Sequence, residues 1–192
     1  MEIKIENIDT SHTEIRNYDP KWPEMYKEEA QKIKDLLGDK IVQIVQIEHI
    51  GSTSIPGLAS KPIIDIAIVV PTPKDANDLI ELLATLGYPF DLKTHELSGG
   101  AERHFFKKGD PTQFHLSIAY ADKGSFLERQ VLFRDYLRDH DEDRDTYSEL
   151  KKDLLKKYPT GKDEYVDNKT DFVMRILKKA GFKNEWFDLS KY

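Results

Sequence analysis

No cysteine occurs in the 192 residues, which excludes disulfides, a thiolate nucleophile and a sulfur-ligated zinc site. No His-x3-His or similar pair offers zinc another home. No apolar run approaches the roughly 18 residues of a membrane-spanning helix, so no membrane partner is expected. Basic residues are not in excess either: 29 Lys and Arg stand against 35 Asp and Glu, a net charge of −6. That balance argues against nucleic acid as the main partner, although it says nothing of the charge inside one cleft. The opening segment, MEIKIENIDTSHTE, has neither a basic n-region nor an apolar h-region, and a cytoplasmic protein is the expectation. Internal repeats and low-complexity tracts are lacking. None of these features specifies an oligomeric state.

What is present, 39% hydrophobic and 33% charged residues, is the profile of a soluble domain long enough to bury a real core. One domain over 1–192 is expected, with a sheet core over about 15–120 and a helical part over about 121–180. Residues 1–17 carry a short Ile alternation that reads as an edge strand or a loose arm. Tyr26, Ala30, Ile33 and Leu37 follow helical spacing up to Gly38. Strands are expected at 41–50 and 62–70, and an amphipathic helix at 74–86 that stops at Gly87. Short strands at 88–92, 102–107 and 113–120 follow, the last two joined as a hairpin by KKGDPT. Helices at 124–138, 143–157 and 162–180 complete the order, punctuated at Asp139–Glu142 and Tyr158–Gly161. Trp186 and Phe187 in the tail are expected to dock on the body. Strands first and helices later imply an α+β fold with a helical C-terminal part.

The segment HIGSTSIPGLASKPIIDIAIVV at 49–70 sets a chemical problem. An ionised carboxylate, Asp65, stands inside an apolar strand, where it is costly without a partner. Alternation gives Ile64, Ile66, Ile68 and Val70 one face and Ile63, Asp65, Ala67 and Val69 the other. In 113–120, His115 and Ser117 share the less apolar face. Adjacent strands in this phase would make a polar floor of Asp65, His115 and Ser117. The turn Gly51, Ser52, Thr53 and Ser54 offers amides and three hydroxyls to phosphate oxygens. A phosphate brings Mg2+, which takes one or two carboxylates plus phosphates and water. Asp65 is then the natural ligand.

These residues resemble the signature of the nucleotidyltransferase superfamily, the polymerase-beta-like fold: a hydrophobic residue, Gly-Ser, about a dozen residues, then Asp-hydrophobic-x-hydrophobic. More narrowly, the chain resembles the GrpB family, also called UPF0157. The matching stretches are NYDPKWPEMYKEEA at 17–30, IEHIGSTSIPGLASKPIID at 47–65, GYPF at 87–90, RHFFKKGDPTQFHLSI at 103–118, FRDYLRDH at 133–140, YSELKKDL at 147–154 and YVDNKTDFV at 165–173. A similar domain is fused behind dephospho-CoA kinase in some bacteria. The resemblance implies a nucleotidyltransferase-like mixed sheet flanked by helices. It also implies a Gly-Ser turn that opens onto a triphosphate site, and carboxylates that hold two metals around the transferring group. Here the second carboxylate position is Ala67, and the later strand offers His115 and Ser117 instead of a third acid.

The expected site follows. Asp65 and His115 are the candidate catalytic groups, and Asp65 the ligand of Mg2+. Gly51, Ser52, Thr53, Ser54, Lys61 and Arg103 are the candidate phosphate binders, arginine being suited to bidentate contacts. Glu48, His49, Ser117 and Arg134 line the site; alternation sends Glu48 and His49 to opposite faces without saying which one enters. Lys151 and Lys169 sit in helices that could cover the cleft but read as solvated surface, and Arg134, Asp135 and Arg138 can pair along a helix surface. The expected partner is a nucleotide or another phosphorylated small molecule, with nucleotidyl transfer left open. The alternative is a non-catalytic binding or scaffold domain that has lost part of its metal site.

Overall fold

The computed structural model describes residues 14–38, 46–97, 102–122, 124–159 and 162–183. Trp22–Leu37 forms α1, with Pro23 in its first turn, where its missing amide costs no hydrogen bond. Ala30, Ile33 and Leu37 of the predicted stripe are buried, together with Trp22 and Glu29, while Tyr26 is partly buried against the same core. Four strands follow in the order β1 (Gln46–Ile50), β2 (Ile64–Val70), β3 (Arg103–Lys108) and β4 (Phe114–Tyr120). They assemble as β1-β2-β4-β3. β1 and β3 run antiparallel to their neighbours, and the central pair β2 and β4 is parallel. The hairpin expected from KKGDPT is the β3–β4 pair.

Two sequence expectations are corrected. The helix expected over 74–86 is two short helices, α2 (Pro73–Asn77) and α3 (Ile80–Thr85). The Leu79 amide bonds the Ala76 carbonyl at 3.2 Å, one residue short of the α-helical partner. This tightening keeps Ala76, Leu79 and Leu83 all in the core. The strand expected over 88–92 is irregular chain running into α4 (Leu92–Leu97). Pro89 has no amide for a ladder, and Tyr88 is anchored instead by its hydroxyl, which donates to Glu29 Oε1 at 3.1 Å. Residues 41–45 of the first expected strand lie outside the described residues, as do residues 1–13 and the tail aromatics Trp186 and Phe187.

Helices cover both sheet faces. α1, α2 and α3 pack on the face made by Ile64, Ile66, Ile68, Val70, Leu116 and Ile118. On the other face Phe126, from α5 (Phe126–Asp139), closes over Ile50, Ala67, Val69 and Ala119. α6 (Asp141–Lys157) and α7 (Lys162–Lys179) complete the helical part, where Leu137, Tyr147, Phe172 and Ile176 cluster. Ile55 and Leu58, just after the Gly-Ser turn, are fully buried in that same cluster. The apolar half of GSTSIPGL therefore pins the turn to the helices. No helix of the described residues is long and apolar enough to cross a membrane.

Glu29 is 1% exposed and receives Lys108 Nζ at 2.5 Å, Lys32 Nζ at 3.3 Å and the Tyr88 hydroxyl. Lys108→Met is expected to cost about 3 kcal/mol, the low end for stripping a buried charge of its counter-ion. Urea unfolding would read this as a lower midpoint with an unchanged slope.

Candidate functional site

Both central strands share one burial pattern: every residue is buried except the second. Those second residues are Asp65 and His115, and they are register partners. Nδ1 of His115 lies 2.9 Å from Oδ1 of Asp65, and the two side chains are 24% and 33% exposed respectively. A carboxylate oxygen only accepts, so Nδ1 carries the proton toward Asp65, and whenever the ring is neutral Nε2 is the acceptor nitrogen. The gap in the helical cover falls over this pair.

Gly51 sits against the same carboxylate. Its φ is +69°, and a Cβ built there would lie 2.9 Å from the Asp65 carboxyl carbon, with Oδ2 closer still. Glycine is required twice over, by the backbone angle and by the contact. The turn that follows, Ser52–Ser54, is one turn of 3-10 helix. Its internal bonds use the amides of Ser54 and Ile55, not those of Gly51, Ser52 and Thr53. Two of its three hydroxyls are committed: Thr53 donates to the Ile63 carbonyl at 3.1 Å and Ser54 to the Gly51 carbonyl at 2.5 Å. Ser52 Oγ instead accepts from Lys151 Nζ at 3.1 Å.

The register answers which of Glu48 and His49 shares the Asp65 face. Glu48 pairs with Ala67, and Ile50 with Asp65, so Glu48 is on that face. Arg134 already holds it, at 2.6 Å, and also donates to the His49 carbonyl and to Asp135. These bonds keep Arg134 charged and hold the carboxyls of Glu48 and Asp135 below their usual range; burial opposes the shift at each of the three. Arg134 is thus buried between β1 and α5 rather than paired along an open helix surface. His49 is on the opposite face, stacked on Tyr26 at 4.7 Å and bonded through Nε2 to Thr53 Oγ1 at 3.2 Å. Thr53 spends its only proton on Ile63, so His49 donates.

Ser117 shares the Asp65 face but is buried, opposite Ala67 and Phe105. Ala67 is fully buried among Ile50, Val69, Ala119 and Phe126. Arg103 starts at the far end of the face, opposite Ala119. Its guanidinium lies 4.1 Å from the Phe126 ring centroid and 5.3 Å from that of Phe105. Burial lowers its pKa to about 10, against the attraction of Asp65 and Glu102. Lys61 lies over the Tyr165 ring at 5.2 Å. Asp65, His115 and Gly51 therefore come together; the attraction of Asp65 reaches Arg103, while Ser52 is held by Lys151 and Lys61 lies against α7. Thr53, Ser54, Glu48, His49, Ser117 and Arg134 serve the frame. Among the described residues no group of three His, Asp or Glu side chains is placed to hold a metal. A cleft of about 840 Å³ lies elsewhere, on α6, and its lining includes Glu142, Asp145 and Glu149. Those acids oppose a phosphate.

The GrpB protein family profile matches residues 12–179. The chain belongs to the GrpB family. It is 37% identical over 166 residues to UPF0157 protein BH1888 of Halalkalibacterium halodurans, covering 86% of this chain and 81% of that one. A crystal structure of conserved protein GrpB from Enterococcus faecalis superposes with a TM-score of 0.76 at 33% identity, covering 93% of this chain and 99% of that one. A dephospho-CoA kinase of Mycolicibacterium paratuberculosis is 27% identical over 192 residues, covering 88% of this chain and 46% of the kinase. The fold expected from the family resemblance, a mixed sheet flanked by helices, is the one found.

Sequence reasoning missed Lys151. It reads as solvated surface, yet it is 3% exposed. Its helical position offered the only signal: Tyr147, Ser148, Lys151 and Leu154 form one buried stripe of α6.

Two measurements check this geometry. Gly51→Ala is expected to cost about 1–3 kcal/mol through the left-handed backbone, and to displace Asp65 from His115 in a crystal structure. Burial, partly offset by Asp65, pushes the His49 pKa down to about 4. Unfolded His49 takes its proton near 6.5, so between those values the unfolded chain binds the extra proton. Stability is then expected to fall by about 3 kcal/mol as pH drops from 6.5 to 4. His49→Asn should flatten that part of a stability–pH curve.

Proposed function

We propose that this chain binds a nucleotide or another phosphorylated small molecule at the junction of the Gly51 turn and Asp65, with Mg2+ carried on the phosphates. One observation supports it most: the cover over the two central strands is open only at Asp65 and His115, where the glycine turn abuts the carboxylate. Gly51 and Ser52 would receive phosphate oxygens, and Asp65 would contribute one oxygen to the ion. Such a single carboxylate suits Mg2+ that keeps its waters and its phosphates. It does not make a dedicated metal cage. When bound, the ion neutralises phosphate charge. The chain's own part is to orient the ligand and to offer Nε2 of His115 as a proton acceptor.

A specific pair of observations favours binding without nucleotidyl transfer. Ala67, at the second carboxylate position, is closed under Phe126, and Glu48 opposite it is neutralised by Arg134. A guanidinium occupies the electrostatic role that a second metal would take. The scaffold alternative therefore keeps phosphate binding and omits the two-metal clamp.

Calorimetry with a nucleoside triphosphate, with and without Mg2+, tests the site. The wild type is expected to bind more tightly with Mg2+. Asp65→Ala should lose at least tenfold of that gain, about 1.4 kcal/mol, while its melting transition stays cooperative. Equal Mg2+-dependent binding by both proteins would show the assignment to be wrong. Ala67→Asp should not create a metal site: it places an unpaired charge under Phe126 and is expected to destabilise by about 3 kcal/mol or more, read as a drop in melting temperature.

A further inference from the structure

The far end of the Asp65 face holds a guanidinium without an acceptor. Arg103 forms no hydrogen bond and no ion pair with the described residues, and its Nε is buried. The Phe126 ring centroid lies 4.1 Å from its Cζ and that of Phe105 5.3 Å. The other arginines that are buried or part-buried among the described residues are paired. Arg129 has Glu102, Arg134 has Glu48 and Asp135, and Arg144 has Asp141 and Asp145. Glu102 adjoins Arg103 in sequence, yet its carboxylate accepts from Arg129.

A second orphaned donor lies beside it. Ser125 is 3% exposed, and its hydroxyl bonds nothing among the described residues. Ser125 is the N-cap of α5, the position from which serine ordinarily accepts from a first-turn amide. Here it makes no such bond, so the helix opens with amides that no side chain caps. The residues on either side fix where Ser125 lies. A Cβ on Gly124 would sit 3.5 Å from the Cβ of Glu102, and Phe126 covers Arg103. The start of α5 is thus packed on the start of β3, with Ser125 between the two contacts.

Buried donors without acceptors are costly. Two of them, a cation and a hydroxyl, meet here at a helix N-terminus, where the peptide dipoles favour negative charge. We propose that Arg103, Ser125 and the first turn of α5 form a subsite for the carboxylate of a small molecule. The guanidinium is a planar fork that matches the two oxygens of a carboxylate. Arg103 is part-exposed and meets the anion first; Ser125 then donates the proton that it spends on nothing in the chain. The acids nearby are Glu102 on Arg129, Glu128 in the first turn of α5, and Asp65, whose attraction reaches Arg103. They favour a ligand group of one negative charge over a phosphate dianion.

The subsite is separate from the junction of Gly51 and Asp65. Arg103 is the register partner of Ala119, and Asp65 that of His115. Along β4 those positions are roughly 13 Å apart. Between them Ala67, Ser117 and Phe126 are buried. A carboxylate at Arg103 therefore needs neither Mg2+ nor a phosphate at the turn, and the inference stands independently of the phosphate-binding reading.

The test is NMR of the full chain in EDTA. It follows the Arg103 Nε–H signal and the Leu127 backbone amide as acetate, benzoate or orthophosphate is added at constant ionic strength. Both carboxylates are expected to shift the two signals together and saturably, and orthophosphate to bind about tenfold more weakly. Arg103→Lys keeps the charge without the planar fork, and should cost about tenfold in carboxylate affinity. Ser125→Ala removes a hydroxyl that bonds nothing in the chain. Its melting temperature should therefore be unchanged or higher, while its carboxylate affinity falls about threefold. That variant serves even where Arg103→Lys fails to fold. Asp65→Asn should leave carboxylate binding intact or tighten it, which separates this subsite from the Asp65 junction. No saturable shift in the wild type, a preference for orthophosphate, or unchanged affinity in the folded Arg103 and Ser125 variants would overturn the subsite, whatever Mg2+ and nucleotide do at Asp65.

Discussion

The contact between Gly51 and the Asp65 carboxylate governs the geometry of this site. Backbone of the turn lies where a side chain would have to be, so the acid and the turn cannot separate without a loss of packing on both sides. The contact is held from two directions. Asp65 belongs to a central strand whose other residues are all buried. The turn is fixed by Ile55 and Leu58, both fully buried among the C-terminal helices. The carboxylate thus joins the sheet to the helical part, and it remains reachable because the second residues of β2 and β4 lie at the edge of the α5 cover.

Charge organises the rest of that sheet face. At the β1 side, Glu48, Arg134 and Asp135 form a closed set in which a guanidinium supplies the positive charge. Next to it Ala67 is sealed by Phe126. Those two features leave Asp65, among the described acids of the face, with a histidine as its side-chain hydrogen-bond partner. The histidine at the turn has the reverse fate: His49 is buried, neutral and committed to Thr53. Hydroxyls divide the same way, with Thr53 and Ser54 tying the turn to backbone carbonyls and Ser52 left to Lys151.

Much of this was legible in the sequence wherever a strict period applied. Strand alternation placed Asp65 and His115 on one face, and the register makes them direct neighbours. Alternation also separated Glu48 from His49, but it could not orient the pair, because orientation depends on how β1 aligns with β2. The spacing of α1 and the turn chemistry of KKGDPT gave their elements correctly. The failures have physical causes of other kinds. The strand expected over 88–92 gave way to a tertiary hydrogen bond from Tyr88 to Glu29, 59 residues away in sequence. Lys151 looked solvated because lysine usually is; only the docking of α6 on the Ser52 turn buries it.

That last miss bears on how the two halves of the chain divide their work. The sheet contributes Asp65 and the turn that abuts it. The helices contribute Lys151, which donates to Ser52 Oγ, and the apolar cluster of Leu137, Tyr147, Phe172 and Ile176 that receives Ile55 and Leu58. The apolar residues that follow the Gly-Ser turn are therefore what docks the turn on the helical part, and they fix where it meets Asp65.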